Sequence, residues 1–313
     1  MSAMRNMIEK CVATLGGILR MSTHPDYLDA TWEDRKKHVL GHASQWLDGF
    51  AQANAAYVHE MALATSESAR LHVVFNIGSD ALRSFLETDD YKNVYEHPVV
   101  EGKELHPSEK RKYVDRICSL DPPKDYYFCA LSVGGTGMRF YGEYCVVLKS
   151  PDDAARVERV LDRNSYDFMI PPLLDIFNKL DENGQQRIAT KLMCDFRSTD
   201  LGDMLSIKVL QHHGARPRLL TIGSVGAAVL SDEDYVEAYH KGKIRLATVL
   251  EIRSHPEDEM TESSIEDRFV RGEAVSAEEL QWAARRQQVR KAMDDKGIRH
   301  RVVTGNGRGR RWR

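Results

Sequence analysis

The stretch Arg139–Leu148, RFYGEYCVVL, decides how this chain is read. Its second half is an apolar, β-branched and aromatic run of the kind that fits a buried strand, and Gly142-Glu143 stands at its mouth. The strand is expected over Met138–Lys149, preceded by another over Asp125–Val133. Between them lies Gly134-Gly-Thr-Gly137, whose glycines reach positive φ at no steric cost, so the two strands are expected to pair as a hairpin. Glu143 is then either an ordinary residue at a strand start or the acid of a site whose other walls lie upstream.

Working outward, Arg70–Ile77 is a third β-rich run, closed by Gly78. Ser79 is expected to cap a short helix that turns Leu82, Phe85 and Leu86 inward. A charged, proline-bearing loop from Tyr91 to Asp125 holds a predicted helix over Pro107–Cys118, capped by Ser108. The first 65 residues read as helical, with Trp32, Val39, Leu40, Ala43, Trp46, Leu47 and Phe50 at helical spacing. After Pro151 the chain turns helical again, with a break at Pro171-Pro172 and a helix end at His212-His213. Arg218–Ile222 and Lys243–Arg253 read as strands flanking a helix at Ser231–Lys241, and the acidic run 255–267 reads as an exposed loop. The last helix is delimited by a capping box, Ser276 to Glu279, and by Gly297.

These elements predict an α+β protein: a small mixed β-sheet core with helical N-terminal and C-terminal additions. The expected divisions are a helical lead-in over 1–65, an α+β domain over 66–298 and a basic, disordered tail over 299–313. Length, 42% hydrophobic content and 29% charge are those of a soluble globular protein. No apolar run approaches the roughly 18 residues that a membrane span needs. Glu9 and Lys10 interrupt the N-terminal patch where a signal peptide is apolar, so a cytoplasmic location is expected. Five cysteines without a CxxC pair suit reduced thiols better than a disulfide frame or a zinc cluster.

Charge is uneven. Residues 299–313, RHRVVTGNGRGRRWR, carry six arginines and no acid, so the net charge of −3 leaves −3 − 6 = −9 on the rest. Phosphate loops (GxxxxGK[ST]), strand-following GxGxxG turns, HExxH and GxSxG are all missing, which argues against P-loop NTPases, Rossmann dehydrogenases, zincin proteases and α/β-hydrolases. His38 and His42 stand four apart, a spacing suited to metal, but without a third ligand nearby they are read as surface or groove residues and no metal is assigned.

The order of elements resembles the ADP-ribosyltransferase-like fold and, more closely, a group of bacterial and phage proteins related to it. The resemblance covers residues 70–149. It rests on the strand bearing Arg70 and His72, the helix ALRSFLETDDY (81–91), the turn Lys92–Glu96, the strand Tyr127–Ser132 and the element Phe140-Tyr-Gly142. It implies an enzyme of a toxin or phage-defence system that cleaves the nicotinamide–ribose bond of NAD through an oxocarbenium-like state. Glu143 would stabilise that charge and Ser132 would brace the carboxylate. Arg70 or His72 would hold NAD, and Tyr141 or Tyr95 would stack on nicotinamide. Ser132 stands in Leu-Ser-Val rather than the Ser-Thr-Ser run of arginine-type enzymes, so the subtype stays open.

A second reading comes from the tail. Glycine-spaced arginines with Trp312, over Arg299–Arg313, suit phosphate backbones and base stacking, which makes nucleic acid the candidate partner. A third reading is a non-catalytic interaction protein whose helical arms supply partner surfaces.

Overall fold

A computed structural model of the chain describes residues 25–47, 49–63, 71–96, 107–149, 157–213, 219–231 and 234–305. Arg70, Cys11 and the arginines from Arg308 onward lie outside these residues. The helices are α1 (Pro25–Asp29), α2 (Trp32–Leu47), α3 (Phe50–Leu63), α4 (Ser79–Thr88), α5 (Glu109–Ile117) and α6 (Leu173–Phe177). They continue with α7 (Glu182–Lys191), α8 (Thr199–His213), α9 (Ile222–Val229), α10 (Pro256–Val270) and α11 (Ala277–Asp295). The strands are β1 (His72–Ile77), β2 (Tyr126–Ser132), β3 (Tyr144–Leu148), β4 (Val157–Leu161), β5 (Met193–Asp195), β6 (Glu237–Lys241), β7 (Val249–Ser254) and β8 (His300–Val302). The class is α+β, built on one mixed sheet in the order β5-β4-β6-β2-β1-β3-β7-β8. Only the β7–β8 pair is parallel among the described strands.

The predicted hairpin is not formed. β2 and β3 flank β1 on opposite sides, each antiparallel to it, so they run parallel to each other and residues 133–143 cross over β1. Parallel strands need a connection of about a dozen residues, which is the length available here. Asn76 of β1 holds the crossover at three points. Its Nδ2 donates to the carbonyls of Thr136 (2.9 Å) and Gly142 (3.0 Å), and its Oδ1 accepts the Met138 N–H (2.7 Å). Gly134, Gly135 and Gly137 take positive φ, as expected of the glycines, and two glycines also serve close approach: a Cβ on Gly137 would lie 2.1 Å from Asn76 Oδ1, and one on Gly142 would lie 2.2 Å from the Ile77 carbonyl carbon.

Alternation in the strands builds two faces. Val73, Phe75, Tyr127, Cys129, Leu131, Tyr144 and Val146 enter the main core with residues of α2, α3, α4, α8, α9 and α11. The opposite face is covered in two parts. Phe128-side residues lie under α5, α6 and α7, where Val114, Phe168 and Phe177 are buried. Val74, Ala130, Cys145 and Val147 lie under the crossover with Met138, Leu230 and Tyr235.

The N-terminal helices join this core directly. Trp32 and Val39 are buried as the helical spacing predicted, and Leu40 packs against the same cluster. Buried Arg35 stacks on Trp32 at 4.4 Å and donates to the carbonyls of Tyr27, Leu28 and Lys191. Leu82, Phe85 and Leu86 are buried, Ser108 caps α5, and Ser276 and Glu279 form the capping box of α11, all as expected.

Five other expectations are corrected. The Ser231–Lys241 segment contains strand β6, because its charges hid an alternation in which both faces are buried. The acidic run 255–267 is helix α10, with His255 as N-cap, Pro256 at its start and Glu257, Asp258 and Glu259 in the first turn, where acids favour the helix dipole. Of the strand expected over Arg218–Ile222, the described residues 219–222 form none: Thr221 caps α9. Lys243–Arg253 becomes a strand only from Val249. The tail, expected to be disordered from residue 299, begins instead with β8, whose Val303 N–H also bonds the Ser254 carbonyl. Among the described residues no helix is long and apolar enough to cross a membrane.

Candidate functional site

The crossover carries the sequence-predicted residues to different places. His72 pairs with Ser132 at one end of β1, whereas Ile77 pairs with Tyr144, next to Glu143, at the other. Five residues at roughly 3.3 Å each separate these ends by about 17 Å. The predicted set of Glu143, Ser132 and His72 therefore does not assemble in one cleft. The physical reason is the threading of β1 between the two strands that a hairpin would have paired.

Each member has a local role. Buried Ser132 donates its hydroxyl to the Gly134 carbonyl at the start of the crossover. Burial holds His72 below the ordinary imidazole range, with the Arg253 guanidinium adding to the effect and Glu251 opposing it. Tyr95 is consumed elsewhere: its hydroxyl donates to Asp115, which also receives Arg111 Nε (2.6 Å). Arg111 lies 3.6 Å from the Phe128 ring and near Glu237, whose carboxyl is pushed up by burial. Tyr141 is half exposed in the crossover, and Arg70 lies outside the described residues.

Glu143 sits at the N-terminus of α4, where it accepts the Ser79 N–H (3.1 Å) and the Ser79 hydroxyl. Sequence reading placed the cap on Ser79; the helix instead borrows a carboxylate from the next strand. This position satisfies an orphan donor and places negative charge at the positive end of the helix.

Beside Glu143 lies a group of residues that sequence reading missed. Arg139 pairs with Asp258 (2.6 Å) and Glu257 (3.2 Å). Burial raises the Asp258 carboxyl, with Arg139 and Arg286 opposing and Glu143 adding to the rise. Fully buried Arg286 bonds Glu259 and, at 2.8 Å, Glu262, and it lies 4.9 Å from the Tyr144 ring. Arg290 pairs with the same two glutamates. Burial pushes Glu262 up, but hydrogen bonds from Arg290 and Arg286 hold it below the usual carboxylate range. The signal was present as Glu259/Glu262, three apart, and Arg286/Arg290, four apart, which are one-face spacings on helices. Reading residues 255–267 as a loop concealed it.

Four buried polar atoms here have no hydrogen-bond partner: Tyr144 Oη, Arg286 Nη1, Arg139 Nε and Asp258 Oδ2. Ser254 donates to Glu259 (2.7 Å) and lies 2.9 Å from His300 Nε2. That resembles a nucleophile and base, but Ser254 is fully buried and its proton is directed to Glu259, so the contact ties β7, β8 and α10 together instead.

The tail root completes the region. Arg299 and Arg301 are 69% and 46% exposed at the side chain and lie 3.8 and 3.5 Å from Glu251. Further on, Gly305 accepts a hydrogen bond from Thr136 Oγ1 (2.9 Å), so the chain entering the arginine-rich segment is fastened to the crossover. Phe140 and Tyr141, 47% and 49% exposed, stand in the same crossover with ring centroids 5.0 Å apart.

Two shallow depressions, of about 280 and 300 Å3, lie between α4 and α11 and between α10 and α11, and neither is lined by Glu143, Ser132 or His72. Among the described residues no three His, Cys, Asp or Glu side chains gather as a metal site. No family model, curated protein or solved structure matches the chain.

Proposed function

We propose that the protein binds nucleic acid through its C-terminal arginines, the acidic body serving as the support. The observation that carries this reading is the fastening of the tail root by β8 and by the Thr136–Gly305 bond. A basic segment with a fixed origin presents its charges from one place on the surface and still follows a phosphate backbone. The body, at −9, repels phosphate, so attraction falls to the tail. Replacing Arg308, Arg310, Arg311 and Arg313 with serine is expected to weaken binding of a fluorescent oligonucleotide strongly in 100 mM salt while leaving the thermal unfolding midpoint unchanged. Undiminished binding by that variant rules the reading out.

A second reading keeps NAD as cofactor and ADP-ribosyl transfer as the activity, with Glu143 as the acid and Arg139, Tyr144 and Asp258 as its neighbours in place of Ser132 and His72. The four unpartnered polar atoms near Glu143 favour it, because buried donors and acceptors without partners are costly unless something else meets them. Incubation with NAD and a search for released nicotinamide tests it. Release by the native chain that disappears in Glu143→Gln supports the reading, and no release with a broad set of acceptors ends it.

A further inference from the structure

Three arginines gather on one carboxylate at the edge of the sheet. Glu251 and Arg253 stand two apart on β7, and Arg301 of β8 stands two after Arg299, so the four side chains share one face. The ladder sets Arg301 directly beside Arg253. Arg253 Nε donates to Glu251 Oε1 at 2.6 Å, and its Nη1 donates to the Gly135 carbonyl at 3.2 Å, which fixes this guanidinium against the crossover. The other two close less tightly. Arg301 Nη1 lies 3.5 Å from Oε1 and Arg299 Nε lies 3.8 Å from Oε2. A fully formed charged hydrogen bond is about 2.7–2.9 Å long.

The charges here do not balance. Burial pushes the Glu251 carboxyl up, but the hydrogen bond from Arg253 and the charges of Arg253, Arg301 and Arg299 hold it below the usual carboxylate range, so it is ionised at neutral pH. Three guanidiniums and one carboxylate leave +3 − 1 = +2. His72 lies on the same face, through the pairing of β1, β3 and β7, and registers the excess. After burial, Arg253 lowers its proton affinity by more than Glu251 raises it. Like charges set side by side on neighbouring strands cost stability, and an anion relieves that cost. Glu251 and Arg253 are buried whereas Arg299 and Arg301 are exposed, so an anion meets the two outer guanidiniums from solvent.

We propose that Arg299 and Arg301, with Arg253 beneath them, form a binding site for a phosphomonoester. That group carries about −1.5 to −2 at neutral pH, which matches the excess, and its three oxygens accept from several guanidinium forks together. A phosphodiester, with a single charge, leaves the excess half met. On nucleic acid the chemistry occurs at a phosphorylated strand end, and it occurs equally on a free mononucleotide. The strand-end source alone rests on the reading of the chain as a nucleic-acid binder.

The test uses the full chain, a fluorescent 12-nucleotide strand ending in either a 5′-phosphate or a 5′-hydroxyl, adenosine 5′-monophosphate with adenosine as its control, and the variant Arg299→Gln/Arg301→Gln. The native chain is expected to hold the 5′-phosphorylated strand roughly tenfold or more tightly than the 5′-hydroxyl strand, and the variant to hold both alike. If the two strands bind the native chain alike, or neither binds, but the monophosphate binds, adenosine does not and the variant loses the monophosphate, the site stands with a free phosphomonoester as its ligand. No preference for the phosphate in either pair, or a preference that the variant keeps, overturns the site. The nucleic-acid reading is judged separately, by whether the 5′-hydroxyl strand binds the native chain. If the variant fails to fold, phenylglyoxal modification of the unaltered protein, mapped by mass spectrometry, decides. Protection of Arg299 or Arg301 by the phosphate-bearing ligand of a pair but not by its partner supports the site, and no such protection overturns it.

Discussion

The two ends of strand β1 are built differently. At the His72 end, Ser132 and His72 face each other across a ladder, with one hydroxyl spent on a local turn and one imidazole kept neutral by burial. At the Ile77 end, Glu143 caps a helix beside a network of three arginines and four further acids drawn from α10, α11 and the crossover. The first is a minor polar contact in a sheet. The second fastens the last two helices, and with them the root of the tail, to the body.

This difference predicts a graded response to substitution. The largest effect belongs to the Ile77 end: Arg286→Leu leaves Arg290 as the remaining cation on Glu259 and Glu262, and breaking a buried ion pair on one side costs about 3–5 kcal/mol, to be read from denaturant unfolding. Midway along β1, Asn76→Ala removes the three bonds that hold the crossover and is expected to cost about 2–3 kcal/mol by the same measurement. Glu143→Gln keeps shape and one acceptor but removes the charge at the helix N-terminus, for a loss of about 1 kcal/mol. At the His72 end, Ser132→Ala is expected to cost no more than about 1 kcal/mol. A Ser132 variant as damaging as the Arg286 variant breaks the contrast.

Acidity sharpens it further. His72 and His300 are both held below their ordinary range, chiefly by burial, so the folded chain binds their protons less readily than the unfolded chain. The stability they contribute is complete above the unfolded value of about 6.5 and is lost as pH falls through the lower folded values. The thermal midpoint should therefore fall between pH 7 and pH 5, and fall less in His300→Gln.

Much of the local structure was legible in the sequence because its signals are local. The capping box at Ser276, the cap at Ser108 and the inward face of Leu82, Phe85 and Leu86 follow from spacings of three or four residues. What was not legible depends on distant partners. Nothing near Gly134–Gly137 announces that β1, some sixty residues upstream, lies between β2 and β3, or that Asn76 receives the crossover. β6 was hidden because Glu237 is buried against Arg111 and Ser165, contacts that no alternation of polar and apolar residues encodes. Glu143 was singled out as the candidate acid, but its neighbours Arg139 and Asp258 were not, because Asp258 was assigned to a solvated loop.

The central claim, that the tail arginines grip a phosphate backbone from a root fixed in the sheet edge, is tested most directly by the salt dependence of oligonucleotide binding. If all six arginines engage a single strand, log K should fall against log salt with a slope of roughly −4, and with Arg308, Arg310, Arg311 and Arg313 replaced by serine the slope should shrink by roughly 3. A slope near zero, or one that the replacement leaves unchanged, contradicts the account.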